Sequence, residues 1–86
     1  MKVEEVKCLD DSDGDGWEGD VRLVRAEDGR HFVVSGVDLL HSGWEVLVFK
    51  ADERGATSSC LDIGGRGVTH AQVVAELESY LDEATA

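Results

Sequence analysis

Proline is absent from this chain of 86 residues, whereas glycine occurs 10 times. Turns must therefore depend on glycine, aspartate and serine rather than on proline. Aromatic residues make up only 6% of the chain, but the apolar fraction of 42% is enough for one hydrophobic core. The length predicts a single domain spanning residues 1–86. Such a small domain buries only roughly 60% of the surface that its unfolded chain exposes, so we expect modest stability.

Basic residues are also scarce. Lys and Arg total 8 against 19 Asp and Glu, which gives a net charge of -11. A chain this acidic is repelled by nucleic-acid phosphates and by anionic membranes. We therefore expect no direct binding to nucleic acid and no binding to membranes; the expected partners are cations or proteins with a basic surface.

Long apolar runs are missing as well. No segment approaches the length that spans a bilayer. The first nine residues alternate between charged and apolar side chains, unlike the apolar core of a secretory signal. These absences predict a cytoplasmic location.

Cysteine occurs twice, as Cys8 and Cys60. In a reducing compartment such residues are expected to be small buried or half-buried thiols, and the sequence leaves a disulfide between them open. His31, His41 and His70 are scattered, and neither cysteine has a neighbouring base. A zinc site lacks the paired ligand spacing that is typical of such sites. We therefore predict a protein that is not an enzyme and has no catalytic residues.

The apolar pattern predicts an α+β fold, in which a small antiparallel β-sheet of four or five strands carries one C-terminal helix packed on one face. The predicted strands are residues 3–9, 21–26, 30–35, 44–50 and 57–63. Between the second and third strands, Asp28-Gly29 predicts a two-residue hairpin turn of type I′. That turn would place Leu23 opposite Val34. Residues 37–43 are predicted as a loop, and the glycines of residues 64–67 are predicted to end the sheet.

The helix is predicted from Thr69 to about Asp82. Thr69 and Gln72 have the spacing of a capping box, and Val68 with Val73 has the spacing of a hydrophobic staple. An apolar stripe recurs at helical spacing; it comprises Val73, Val74, Leu77, Tyr80 and Leu81. One helix covers one face of a sheet that is apolar on both faces. Self-association, a partner or residues 37–43 must therefore cover the other face.

Residues 10–20 carry six acids and no base. Within them, alternating aspartates followed by glycine match the first half of a calcium loop of the EF-hand type. The candidate Ca²⁺ ligands are Asp11, Asp13, Asp15 and, as a closing ligand, Asp20. A full EF-hand loop would have glutamate at its twelfth position, where this chain has Arg22. We also expect strands rather than helices on both sides of the run.

The same run is a candidate interaction surface, which we call the acidic segment. An exposed Trp17 among acids would anchor an interface. The candidate interaction residues are Asp10, Asp11, Asp13, Asp15, Trp17, Glu18 and Asp20. Our leading hypothesis is a small acidic interaction module, itself a candidate homodimer, that binds a protein with a basic surface. The alternatives are a calcium-binding module, a hydrolase or nucleotide-binding activity, and an acidic surface that serves only solubility.

One part of the chain resembles a known group of proteins. The segment from Phe32-Val33-Val34-Ser35-Gly36 to Phe49 is followed by Ala51-Asp52-Glu53-Arg54-Gly55 and by an acidic helix with a threonine cap. Over residues 30–83 this arrangement resembles small uncharacterised accessory proteins of actinobacterial phages. They share an aromatic-rich strand ending in Val-Phe, an Asp-Glu-x-Gly turn and a terminal helix. The resemblance implies no enzymatic activity; it implies an accessory protein that binds a host or defence protein in the host cytoplasm.

Overall fold

A computed structural model describes residues 1–11, 19–39 and 43–85. The elements are β1 (Val3–Asp11), β2 (Gly19–Ala26), β3 (His31–Leu39), β4 (Gly43–Ala51), β5 (Thr57–Arg66) and α1 (His70–Thr85). The strands form one sheet in the order β1-β2-β3-β4-β5, and each is antiparallel to its neighbour. The predicted α+β fold, an antiparallel sheet with one C-terminal helix, is confirmed.

The main core lies between α1 and one face of the sheet. Val73, Leu77 and Leu81 recur every four residues on the helix and are fully buried. They contact a cluster on the sheet that comprises Val24, Ala26, Phe32, Val34, Val46, Val48 and Ile63. Most of these sheet residues alternate along their strands because successive strand side chains point to opposite faces. Burying each Val, Leu or Phe side chain contributes about 1.5–3 kcal/mol, so this contact is the main source of stability.

The start of the helix follows the prediction. The N–H of Thr69 donates to Gln72 Oε1 at 2.9 Å, and the N–H of Gln72 donates to Thr69 Oγ1 at 3.2 Å. Val68 packs against the core cluster that contains Val73, as expected for a hydrophobic staple. The helix continues to Thr85, beyond the predicted end, and Tyr80 is 39% exposed. Tyr80 therefore lies at the margin of the apolar stripe rather than within it.

The predicted register of the β2–β3 hairpin is wrong by one residue. The N–H of Gly29 donates to Ala26 O at 3.0 Å, and the N–H of Ala26 donates to Arg30 O at 2.8 Å. These bonds enclose a loop of three residues in which Gly29 has a φ of 92°. A positive φ at the last position is typical of three-residue hairpin loops. Leu23 consequently lies opposite Val33 instead of Val34.

Two predicted interruptions of the sheet are also wrong. β3 and β4 pair continuously from His31↔Ala51 to Leu39↔Gly43, so residues 37–39 and 43 are strand and not loop. Residues 40–42 lie outside the described part of the chain. β5 passes through Gly64 and Gly65, which have φ values of 101° and 146°. Glycine adopts these angles without steric cost, and the pairing of β4 with β5 shifts register next to Gly64.

The face opposite the helix is partly closed by the curvature of the sheet. Leu23 and Val33 are register partners on this face and are only 0% and 3% exposed. A Cβ atom added to Gly55, in the β4–β5 turn, would lie 3.0 Å from Leu9 Cδ1. Leu9 belongs to β1, at the opposite edge of the sheet, so the two edges approach each other. The sheet therefore buries part of its second apolar face itself.

The two cysteines differ from the prediction. Cys8 and Cys60 are exposed, and no disulfide joins them. Both lie on edge strands, β1 and β5, where each strand has a neighbour on only one side. The expectation of buried or half-buried thiols is wrong because edge positions have less cover than interior strands.

Gly64 provides a direct test of the β4–β5 pairing. A Cβ atom at this position would lie 2.1 Å from Val46 O, whereas a Cβ atom at Gly67, with a φ of 73°, would meet nothing within 4 Å. We expect Gly67→Ala to lower the free energy of unfolding by about 1 kcal/mol through backbone strain alone. Gly64→Ala should lower it by about 2 kcal/mol more because the backbone must also move. Equal losses for the two variants in urea unfolding would contradict this packing.

Candidate functional site

The acidic segment connects two neighbouring strands at one end of the sheet. β1 ends at Asp11, β2 begins at Gly19, and Asp11 and Asp20 are register partners. Asp10 also lies in β1. The remaining candidate interaction residues, Asp13, Asp15, Trp17 and Glu18, lie outside the described residues.

A complete EF-hand loop does not fit this backbone. In such a loop, residues 19–22 would supply the last four of twelve positions, but these residues already pair as β2. Arg22, which would stand at the closing position, lies opposite Cys8 and Val34, and its Nη1 is 3.9 Å from Glu5 Oε2. Strands flank the segment, as expected from the sequence. The shorter ligand set of Asp11, Asp13, Asp15 and Asp20 stays a prediction.

The described residues offer no other metal site. Within residues 1–11, 19–39 and 43–85, no three His, Cys, Asp or Glu side chains lie together in a way that could hold a metal ion. Two of the four predicted ligands, Asp13 and Asp15, lie outside the described residues. The calcium hypothesis therefore depends on solution measurements.

The opposite end of the sheet collects basic residues, and we call it the basic end. It contains the β2–β3 turn, the β4–β5 turn and the start of β1, because alternate connections of a meander lie at the same end. Five of the chain's 8 Lys and Arg residues lie in or next to these segments. They are Lys2, Arg25, Arg30, Lys50 and Arg54.

Several of these charges are paired locally. Arg25 pairs with Glu4, the amino group of Met1 pairs with Asp82, and Arg30 Nε lies 2.6 Å from Asp28 Oδ2. The basic end therefore contains acids as well as bases, among them Glu27, Asp28, Asp52 and Glu53, whereas the acidic segment contains six acids and no base.

The two turns of the basic end are built in the same way. Asp52 Oδ1 accepts hydrogen bonds from the N–H groups of Ala56 at 3.0 Å and Arg54 at 2.8 Å, which lower the pKa of Asp52 below its usual 3.8. A backbone hydrogen bond from the Arg30 N–H lowers the pKa of Asp28 in the same manner. Carboxylates held ionised in this way stabilise the turns and are poorly suited to donate protons in catalysis.

The basic end was not predicted from the sequence, in which the basic residues are spread out rather than clustered. The signal was present in the segments Ala26-Glu27-Asp28-Gly29-Arg30 and Asp52-Glu53-Arg54-Gly55-Ala56. Both are glycine-containing turns separated by two strands, and in a meander such turns lie side by side. Bases near both turns must then share one end of the sheet.

The edge strand β1 exposes apolar side chains. Val6 is 45% exposed and Leu9 is 37% exposed. The pairing of β1 with β2 shifts register twice, between Glu5 and Lys7 and between Cys8 and Asp10. Such irregularities bend a strand and discourage edge-to-edge pairing with another chain. A homodimer formed by simple continuation of the sheet at β1 is therefore disfavoured.

No protein-family model, curated protein or solved structure matches the chain. Among the described residues, no helix has the length and apolar character needed to cross a membrane. The resemblance to phage accessory proteins therefore enters only as a proposal.

The turn built on Asp52 predicts a pH dependence of stability. Since the folded-state pKa of Asp52 is lowered, its carboxylate adds stability above the unfolded-state pKa, and this contribution is lost as the pH falls through the folded-state pKa. We expect wild type to be more stable than Asp52→Asn at neutral pH, with the difference shrinking on acidification below about pH 4.

Chemical unfolding at several pH values measures this difference. Glu53→Gln is the control, because it removes a charge from the same turn while keeping the hydrogen bonds to Asp52. A difference between wild type and Asp52→Asn that stays constant from neutral to acidic pH would contradict the assignment.

Proposed function

We propose that the protein is a small acidic interaction module that binds a protein partner with a basic surface through the acidic segment, and that it is not an enzyme. The observation that carries this proposal is the concentration of acids at one connection. Residues 10–20 hold six acids and no base, and Asp11 and Asp20 are register partners of β1 and β2.

Negative charge that is concentrated in one segment favours binding of a basic partner in one orientation. A localised negative end attracts a basic surface, increases the association rate and disfavours approach through the other end. Such attraction weakens with salt, because charges further apart than about 8 Å are largely screened at physiological ionic strength. A uniformly acidic surface that served only solubility would not require the acids to be concentrated at one connection.

Specificity would come from residues that add contacts to the electrostatic attraction. Trp17 lies within the acidic segment, and tryptophan is among the residues that most often dominate binding energy at interfaces. The proposed binding residues are Asp10, Asp11, Asp13, Asp15, Trp17, Glu18 and Asp20. In keeping with the resemblance to phage accessory proteins, the proposed partner is a host or defence protein in the host cytoplasm.

Self-association is a subordinate part of the proposal. Exposed Val6 and Leu9 on β1 offer apolar contact area, although the irregular pairing of β1 disfavours extension of the sheet. A homodimer would therefore use side-chain contacts of this edge rather than backbone pairing. Light scattering at two protein concentrations tests it, and a monomer at both would remove the homodimer from the proposal.

The second candidate function is calcium binding by the acidic segment. It is favoured by one observation: Asp11 and Asp20, the first and last proposed ligands, are register partners. If the closing ligand already lies beside the first ligand, less conformational entropy is lost when the loop becomes ordered around an ion. Ca²⁺ takes six to eight oxygen ligands, so backbone carbonyls or water would have to complete the site.

The interaction proposal predicts that partner capture depends on charge at the acidic segment. A variant with Asp10, Asp11, Asp13 and Asp15 all changed to Asn should lose most of the partner recovered by wild type from host lysate. The matched control changes Glu27, Glu53 and Glu83 to Gln and Asp62 to Asn, which removes the same charge from exposed positions outside the segment. This control should recover the partner as wild type does.

Two results would contradict the proposal. Identical partner lists for wild type and the segment variant would remove the acidic segment from the interface. Equal losses for the segment variant and the control would show that only net charge matters. Raising the salt concentration should weaken capture by wild type, as expected for steering by localised charge.

The calcium alternative predicts a saturable heat when Ca²⁺ is titrated into the protein at physiological salt. Binding in the range of about 10⁻⁷–10⁻³ M would be consistent with known calcium loops. Asp11→Asn combined with Asp20→Asn should abolish the heat, while Asp62→Asn should leave it unchanged. The absence of both heat and thermal stabilisation for wild type at millimolar Ca²⁺ would end this alternative.

A further inference from the structure

A cavity lies at the basic end, between the C-terminal half of α1 and the sheet. Its volume is about 410 Å³, within the range of about 300–1,000 Å³ that is usual for small-molecule sites. It is formed by residues from four separate parts of the chain: the β2–β3 turn with the start of β3, the end of β4, the start of β5, and the helix. The residues that define it are Arg30, His31, Phe32, Lys50, Ser58 and Tyr80.

The polar wall of the cavity is predominantly basic or neutral. Lys50, Arg30 and His31 line it, and none of the described residues that line it carries a carboxylate side chain. Arg30 uses Nε to contact Asp28 Oδ2 at 2.6 Å, which holds the guanidinium in place at the turn. Lys50 and His31 form no ion pair with any described residue. Two of these three basic side chains are thus available to an anionic ligand.

The other wall is aromatic. Phe32 is 3% exposed and belongs to the core cluster, so it forms a fixed base to the cavity. Tyr80, on the helix, is 39% exposed and presents its ring beside the basic side chains. A planar ring that stacks on such a side chain gains a favourable interaction beyond the burial of its area. The combination of cations and an exposed ring favours a ligand that carries both a negative charge and an aromatic ring.

We propose that this cavity binds a small organic anion that carries one aromatic ring, with its phosphate or carboxylate at Lys50 and His31 and its ring against Tyr80. The hydroxyl of Ser58 lies at the same cavity and donates a hydrogen bond to Lys50 O at 3.5 Å, which ties the start of β5 to the end of β4. This binding is separate from the proposed protein interaction, since the described residues that line the cavity lie outside the acidic segment.

The net charge of -11 is compatible with such a site. Along β3, nine residues at about 3.3 Å per residue span about 30 Å. The start of the acidic segment is nearer to the β4–β5 turn, because Leu9 lies beside Gly55. Screening over about 8 Å at physiological ionic strength weakens the repulsion between the acidic segment and a small anion, and Lys50 supplies a local attraction. A nucleic-acid polymer, in contrast, would extend into the negative part of the surface.

Amide chemical-shift titration tests the proposal with four probes at physiological salt. Phenyl phosphate and adenosine monophosphate carry both a ring and an anion, inorganic phosphate carries only the anion, and adenosine carries only the ring. We expect saturable shifts confined to the cavity residues for at least one of the first two, with binding about tenfold tighter than for either partial probe. Whichever of phenyl phosphate and adenosine monophosphate binds more tightly shows whether the site prefers a simple aromatic phosphate or a nucleotide. Shifts that fail to saturate, or that spread evenly over the protein, would overturn the proposal.

Variants test the contributions of the basic wall and the aromatic wall of the cavity separately. Lys50→Gln should weaken binding of the aromatic phosphate about tenfold, because a hydrogen bond to a charged group is lost. The matched control is Lys7→Gln, which removes the same charge from an exposed position on β1 and should leave binding unchanged. Tyr80→Leu should abolish the preference for phenyl phosphate over inorganic phosphate. Equal weakening by the two lysine variants, or an unchanged preference in Tyr80→Leu, would contradict the assigned site.

Discussion

The contact between the apolar stripe of α1 and one face of the sheet is the interaction on which the rest of the structure depends. Val73, Leu77 and Leu81 are fully buried against alternate residues of the strands. Because strand side chains alternate between faces, a slip of one residue would turn every core side chain away from the helix. The helix therefore fixes the register of the sheet. The register in turn fixes which residues lie at each end.

The charge distribution follows from that register and from the meander. Five strands joined in sequence order place the β1–β2 connection at one end and the β2–β3 and β4–β5 turns at the other. Along β2 and β3, the acids of residues 10–20 are separated from the bases near the β2–β3 turn by the length of the strands, whereas the curvature of the sheet brings Leu9 close to the β4–β5 turn. We propose that the acidic segment binds a basic protein and that the cavity beside Tyr80 binds a small anion.

The general fold was predictable because it depends on patterns within short segments. The helix stripe, its capping box and the alternation in β2 and β4 are local signals, and each is confirmed. The register of the β2–β3 hairpin was not predictable from Asp28-Gly29 alone, since two- and three-residue loops both accept this pair. The choice between them is made by burial: the observed register places Phe32 opposite Val24, and both side chains lie under the helix.

Glycine residues caused the main error in the predicted bounds of the strands. Gly64 and Gly65 were interpreted as the end of the sheet, but β5 uses their positive φ angles to continue through an irregular part of its pairing with β4. The burial of Leu23 and Val33 was also beyond the sequence, because it arises from curvature that brings Leu9 to Gly55 across the sheet. Contacts between distant edges of the sheet cannot be predicted from the apolar periodicity within one strand.

The two candidate sites also differ in how far they could be predicted from the sequence. The composition of the acidic segment could be read directly, and the structure adds that it leaves the sheet at register partners Asp11 and Asp20. The cavity beside Lys50 and Tyr80 could not be read, since its residues come from segments that are far apart in sequence. Only the order of the strands brings them together.

The central claim is that the negative charge of the protein is concentrated at the acidic segment. The most direct measurement is the local electrostatic potential at each backbone amide, obtained by NMR from paramagnetic relaxation with cationic and anionic cosolutes. The account predicts a more negative potential at residues 10–20 than at residues 28–31. A similar negative potential at both would contradict it.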